Sequence, residues 1–226
     1  ILRGEHLINT PLEEIDLPVE QVLDRLRPQQ ILCGGMASPQ VTKLVESRGL
    51  TLHDYFAREE LAVANAVPTA EGALQIAMEE LPITLHGARA LVIGYGRIGR
   101  VLAQRLSALG AKVSVASRRF EHLAWAEAFG YGAEHTGQLT GWLCSYDLVI
   151  NTAPSRVLGQ TELEDLKDGA LVIDLASKPG GVDFAAASEL GVKVIWALSL
   201  PGKVAPVTAG RAIQGAIYNL LTELGV

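Results

Sequence analysis

Ala90-Leu91-Val92-Ile93-Gly94-Tyr95-Gly96-Arg97-Ile98-Gly99 is the stretch that decides the fold. Four aliphatic residues run straight into a G-x-G-x-x-G turn, and an aliphatic helix containing Ala103 leaves it. That context, strand then glycine turn then helix, turns a weak motif into a dinucleotide fingerprint. Gly94 permits the tight turn, Gly96 lets a pyrophosphate approach the backbone, and Gly99 lets helix and strand pack closely. The helix start adds unpaired N–H groups that face the phosphates. Residues 94–99, with Tyr95, Arg97 and Ile98 between the glycines, are therefore the expected phosphate loop.

The end of the next strand reports on the ribose. Enzymes that use NAD place an acid about 20 residues beyond the motif, where it binds the ribose hydroxyls and repels a 2′-phosphate. Here the strand Lys112–Ala116 runs into Ser117-Arg118-Arg119, with no acid before Glu121. A hydroxyl and two guanidinium groups suit a 2′-phosphate. The expected cofactor is NADP, with NAD the weaker ligand. Ligands in such sheets lie beyond the carboxyl ends of the strands. The ends at Asn151-Thr152-Ala153-Pro154 and Leu175-Ala176 are expected to line the cofactor, and Ser177-Lys178 to reach the substrate. Asn151 is alternatively a turn residue.

Outward from the motif, strands alternate with helices, which predicts a doubly wound parallel α/β sheet of Rossmann type. The strand candidates are Arg89–Ile93, Lys112–Ala116, Ala133–His135, Leu148–Asn151, Leu171–Leu175 and Val192–Trp196. Upstream, Gln30–Cys33 and Leu61–Ala66 read as strands and Pro39–Ser47 as a helix. Thr69 reads as the cap of a helix to Leu81. A last helix starts near Pro206, a residue favoured at the first helical position, and runs to Leu224. The domains expected are 86–203 for the nucleotide and a smaller α/β domain, 1–85, completed by the helix 204–226. The crevice between two such domains is where an active site is expected.

Composition limits the function classes. The chain is 49% hydrophobic but only 5% aromatic, the palette of aliphatic parallel strands. A net charge of −6 argues against nucleic acid as partner. Seven of nineteen basic residues nevertheless fall in Leu81–Phe120, which holds no acid. No apolar run is long enough to span a membrane, and no secretory signal is expected. Cys33 and Cys144 lie far apart without metal-ligand spacing, so no metal site is expected and both read as reduced thiols of a cytoplasmic protein, with a single disulfide as the alternative. The last helix carries Ile213, Ala216, Ile217, Leu220 and Leu221, an apolar stripe suited to pairing with a second copy.

Three further blocks, Asn65-Ala-Val-Pro-Thr-Ala-Glu-Gly72, Asp174-Leu-Ala-Ser-Lys-Pro-Gly-Gly-Val-Asp183 and Leu200-Pro-Gly-Lys-Val-Ala-Pro206, resemble the family of dipicolinate synthase A chains. The likeness runs from about Ile31 to the C-terminus. It implies oxidation of dihydrodipicolinate to dipicolinate with a nicotinamide cofactor, in the mother cell of a sporulating bacterium. It also implies a partner, the B chain of dipicolinate synthase, that is similar to a flavoprotein. The family usually begins with an additional strand–helix unit bearing a Gly-Gly-Asp turn. This sequence does not contain one, so the first domain is expected to be incomplete.

A ring dicarboxylate needs cations and anion-binding backbone. The helix starts at Thr69 and Pro206 offer free N–H groups, and Lys178 and Lys203 offer charge. The substrate-side candidates are Pro68, Thr69, Gly72, Ser177, Lys178, Leu200, Pro201, Gly202, Lys203 and Pro206. Lys178, Glu71 and Asp183 are the catalytic candidates, the two acids as the base that takes a proton while hydride leaves the ring. Each has a plainer reading: Lys178 and Lys203 as solvated lysines, Glu71 as a complement to its helix dipole, Asp183 as the cap of a helix from Phe184. His86, before the first nucleotide-domain strand, reads as structural. Two other functions remain open: an NADP dehydrogenase of shikimate dehydrogenase type, and a non-catalytic NADP-binding subunit.

Overall fold

The computed structural model describes residues 2–3, 7–10 and 15–226. They divide into two compact units, one made of the described residues up to Ala62 with Gly210–Val226, the other of Val63–Ala209.

In the first unit, β1 (Leu2–Arg3) and β2 (Leu7–Ile8) form an antiparallel pair. After the short α1 (Val19–Leu23), β3 (Leu32–Gly34) and β4 (Leu52–Asp54) pair in parallel around α2 (Pro39–Glu46). Ser38 caps α2 by accepting from Val41 N–H at 3.3 Å, with Pro39 at the first helical position. Val19, Leu23, Val45 and Leu50 form the core of this unit.

The next segment is helical where its sequence suggests a strand. Leu61–Ala66 is not a strand and Thr69 does not start a helix: α3 runs unbroken from Glu59 to Glu80, with Pro68 inside it. The buried residues Ala66, Ala70, Ala73, Ala77 and Leu81 recur every three or four positions, which is a helical stripe. Proline removes one intrahelical N–H. Thr69 Oγ1 turns back to donate to Asn65 O at 2.7 Å, beside the turn that Pro68 disturbs. The anion-binding backbone expected at Thr69 is therefore absent, since its N–H lies in mid-helix.

The second unit is the doubly wound sheet. Its strands are β5 (Arg89–Ile93), β6 (Lys112–Ser117), β7 (Gly132–His135), β8 (Leu148–Asn151), β9 (Leu171–Asp174) and β10 (Lys193–Trp196). All pair in parallel, in the order β10-β9-β8-β5-β6-β7. Numbered from β5, this is the 3-2-1-4-5-6 order of dinucleotide folds. Every strand expected in this unit is present. The connecting helices α4 (Arg97–Ala108), α5 (Phe120–Ala128), α6 (Gln160–Glu164) and α7 (Phe184–Glu189) cover both faces. One apolar core joins α3 and α4 to one face, and a second joins Leu158, Leu163, Val182 and Ala187 to the other.

The chain ends in α8 (Leu200–Val204) and α9 (Pro206–Glu223). Lys203, expected in a Pro-Gly turn, is instead in the last turn of α8, because Pro201 opens that helix and Gly202 does not stop it. Among the described residues no helix is long and apolar enough to cross a membrane.

Candidate functional site

The strand order reverses between β5 and β8, and the crevice at their carboxyl ends is where a dinucleotide belongs. Each glycine of the loop after β5 meets a different constraint. Gly94 has φ +94°, and a Cβ there would lie 2.3 Å from Thr152 Oγ1, which donates to Ile93 O at 2.9 Å. A Cβ on Gly99 would lie 2.0 Å from Gly94 O, so helix and loop touch there. Gly96 is the N-cap of α4 and has nothing within 4 Å of where a Cβ would stand. The backbone is thus bare on its outer side at the residue where pyrophosphate must approach, and the loop fits a dinucleotide.

Tyr95 is buried, and the guanidinium of Arg100 lies over its ring at 5.5 Å. Ile98 is half-buried against the core, and Arg97 is exposed at the helix start.

Ser117, Arg118 and Arg119 part ways. Ser117 is 5% exposed; its Oγ accepts from Arg119 N–H at 3.1 Å and stands 3.1 Å from His122 Nδ1. Its hydroxyl is spent inside the protein. The Arg119 side chain forms an ion pair with Glu121. Arg118 instead lines an open cavity of about 550 Å³ with His135, Ser155, Arg156 and Val157, at the carboxyl ends of β6 and β7 and the loop after β8. His122, not singled out from the sequence, is held below its ordinary imidazole pKa by burial and then by Arg119, with Glu121 opposing.

Asn151 and Asp174, at the ends of β8 and β9, are both fully buried. Asn151 donates to Asp174 Oδ1 at 2.8 Å and to Ala153 O at 3.0 Å, and accepts from Ala153 N–H at 3.0 Å. Its amide therefore shapes the Thr152-Ala153-Pro154 loop. Leu175 N–H continues the ladder to Asn151 O, and Ala176 O accepts from the Trp196 indole at 2.8 Å. Ser177 and Lys178 follow, both exposed.

The two candidate acids are occupied. Asp183 caps α7 by accepting from Ala186 N–H with Oδ1 and holds Arg156 at 3.1 Å with Oδ2. Glu71, exposed on α3, pairs at 3.3 Å with Arg105. Arg105 lies eight residues past Arg97 along α4, about 12 Å at the helical rise, toward the amino ends of the strands. Pro68 and Gly72 are buried within α3. Gly72 packs on α8, where a Cβ would meet Val204 at 3.1 Å and Leu200 at 3.3 Å. Pro201 is half-buried, and Gly202, Lys203 and Pro206 are exposed. His86 packs its ring beneath Gly110 at the amino ends of the strands, far from the crevice.

Residues 58–183 match the family model described as the NAD binding domain of D-isomer specific 2-hydroxyacid dehydrogenases. Over 222 residues, 98% of this chain and 75% of the relative, the sequence is 35% identical to the dipicolinate synthase A chain of Bacillus subtilis (strain 168). The chain belongs to the family of dipicolinate synthase A chains. Solved structures of family members superpose closely. The Bacillus subtilis A chain matches at TM-score 0.92 and 34% identity, covering 99% of this chain and 76% of that one. Its Bacillus halodurans counterpart matches at 0.88 and 33%, covering 95% and 74%. A transhydrogenase from Sinorhizobium meliloti, 19% identical at TM-score 0.77 over 92% of this chain and 72% of its own, shares the fold. This chain is thus an oxidoreductase-family protein with a pyridine-nucleotide domain. The matching family model speaks of NAD and does not distinguish it from NADP.

Proposed function

We propose that this chain oxidises dihydrodipicolinate to dipicolinate with hydride transfer to NADP. The observation that carries the cofactor choice is the end of β6: it bears no acid, and Arg118 faces the open cavity beside it. A carboxylate at that place would repel a 2′-phosphate, whereas a guanidinium attracts it. Bound nicotinamide supplies the hydride acceptor; the protein's part is orientation. Gly94, Gly96 and Gly99 seat the pyrophosphate, and Thr152, Ala153 and Pro154 border the ribose and nicotinamide. Ser177 and Lys178, exposed just past β9, take a carboxylate of the substrate. Hydride loss and proton loss together make the ring aromatic, so a weak base suffices. With Asp183 capping α7 and Glu71 turned to Arg105, water at the open strand ends accepts that proton.

The engagement of both acids also favours a second reading, in which the B chain of the synthase supplies the missing base and this chain binds NADP for it. The relatives are named as one component of a synthase, which supports the existence of such a partner, and sporulation in the mother cell would be the setting. Purified chain is given substrate with NADP or NAD, with and without the B chain, and reduced-nicotinamide absorbance is followed. Reduction of NADP by the purified chain without its partner is the expected result. Reduction only with the B chain would favour the second reading, and equal use of NAD would overturn the cofactor assignment.

A further inference from the structure

We infer that Arg156 is a second specificity-determining residue for the cofactor, gripping the 2′-phosphate across the cavity from Arg118. This rests on the NADP reading above.

A 2′-phosphate carries about two negative charges near neutral pH, and one guanidinium balances half of that. Of the three residues that the sequence offers at the end of β6, Ser117 is buried and engaged with His122 and Arg119 N–H, and Arg119 is not among the residues that line the cavity. Arg118 alone of them lines the cavity, so one cation remains to be found. Arg156 lines the same cavity, from the loop after β8. Its side chain is 69% exposed, and one guanidinium nitrogen is anchored to Asp183 Oδ2 at 3.1 Å. An arginine has five N–H donors in a planar fork, so one anchored nitrogen leaves the others for an anion. Asp183 is fixed in turn by capping α7. The tether therefore restrains Arg156 before the ligand arrives, which lowers the ordering cost of binding. Glu162 also lines the cavity. Its Oε2 accepts from Gly159 N–H at 3.0 Å, which turns this carboxylate toward the start of α6.

In this arrangement Asp183 is a positioning residue that acts through Arg156. The tether explains what an acid is doing in this loop without a catalytic step.

The test is calorimetric titration of the purified chain with adenosine 2′,5′-bisphosphate and with 5′-AMP, ligands that differ only in the phosphate at issue. Arg156→Ala should weaken the bisphosphate by about tenfold or more, the worth of a charge-assisted contact, and leave 5′-AMP unchanged. Asp183→Asn, which keeps a good helix cap, should weaken the bisphosphate by less and again spare 5′-AMP. No change in Arg156→Ala, or an equal loss for both ligands, overturns the inference. If wild type discriminates and Arg118→Ala abolishes this while Arg156→Ala does not, the NADP reading stands without Arg156. If wild type binds the two ligands equally, both fall.

Discussion

Asn151 and Asp174 meet at the carboxyl ends of adjacent strands, amide nitrogen to carboxylate at 2.8 Å, both wholly out of solvent. Asp174 also accepts from Ala176 N–H at 3.0 Å and Gly181 N–H at 2.8 Å. One carboxylate thus ties two strands to the loop that carries Ser177 and Lys178. Close approach makes Gly181 obligatory: a Cβ there would fall 2.1 Å from Asn151 Nδ2.

Asp174→Ala would strand an amide and two backbone N–H groups in the interior. Leaving a buried donor without its acceptor costs about 1–3 kcal/mol for each group. Urea unfolding should show that loss as a lower midpoint at unchanged slope. A loss under about 1 kcal/mol would mean that the loop finds other partners.

The three loop glycines should separate binding from folding. Gly96→Ala meets open space and should cost about 1 kcal/mol or less, as an alanine N-cap does. It should still abolish cofactor binding, because its methyl occupies the approach to the backbone. Gly94→Ala and Gly99→Ala should instead unfold more readily, by about 1–3 kcal/mol, since one has positive φ and the other abuts Gly94 O. Thermal melts with and without NADP distinguish the classes: only Gly96→Ala should keep its apo melting point to within about 2–4 °C while losing the ligand-induced rise.

The sheet and its glycine loop were legible because their signals are local: an aliphatic run, a glycine spacing, an acid-free strand end. Where local signals compete, the sequence misled. Pro68 looks like a helix boundary, yet α3 runs through it with Ala66, Ala70 and Ala73 buried along one side, a tertiary gain that outweighs the local signal. Pairings between segments distant in sequence were invisible: Asn151 with Asp174 is 23 residues apart, and Arg156 with Asp183 is 27. So was His122, whose meaning lies in facing Ser117. The first of these pairings engages Asn151, an expected cofactor contact, in bracing a loop. The second gave Asp183 an occupation other than catalysis.

His122 should make stability fall in acid. The imidazole is 13% exposed beside Ser117 and is held below its ordinary pKa, first by burial and then by Arg119. As pH falls, the unfolded chain binds this proton before the folded one does. Stability is therefore full above the ordinary imidazole range and lost as pH falls through it. His122→Gln removes that term. Between about pH 7.5 and about pH 5.5, a window bracketing the ordinary histidine pKa, wild type should lose more unfolding free energy than the variant. The reverse ordering would mean that the folded state welcomes the charge.

Lys178 and Glu71 should behave oppositely in steady-state kinetics. Lys178 follows β9 directly, beyond the Asp174 brace, on a loop whose exposed side is the proposed place of a substrate carboxylate. Lys178→Ala removes a charge-assisted contact worth about 1.5–3 kcal/mol. The KM for substrate should rise by about tenfold or more, and the dissociation constant for NADP should stay unchanged. Arginine at the same position should recover part of the loss, because it restores the charge without the compact ammonium geometry. Glu71→Gln breaks only an exposed ion pair with Arg105, a contact of about 0–1 kcal/mol, and should leave kcat and KM within about fivefold of wild type. A collapse of kcat in Glu71→Gln, with Lys178→Ala unaffected, would reverse the two roles and move the chemistry from the end of β9 to the flank of α3.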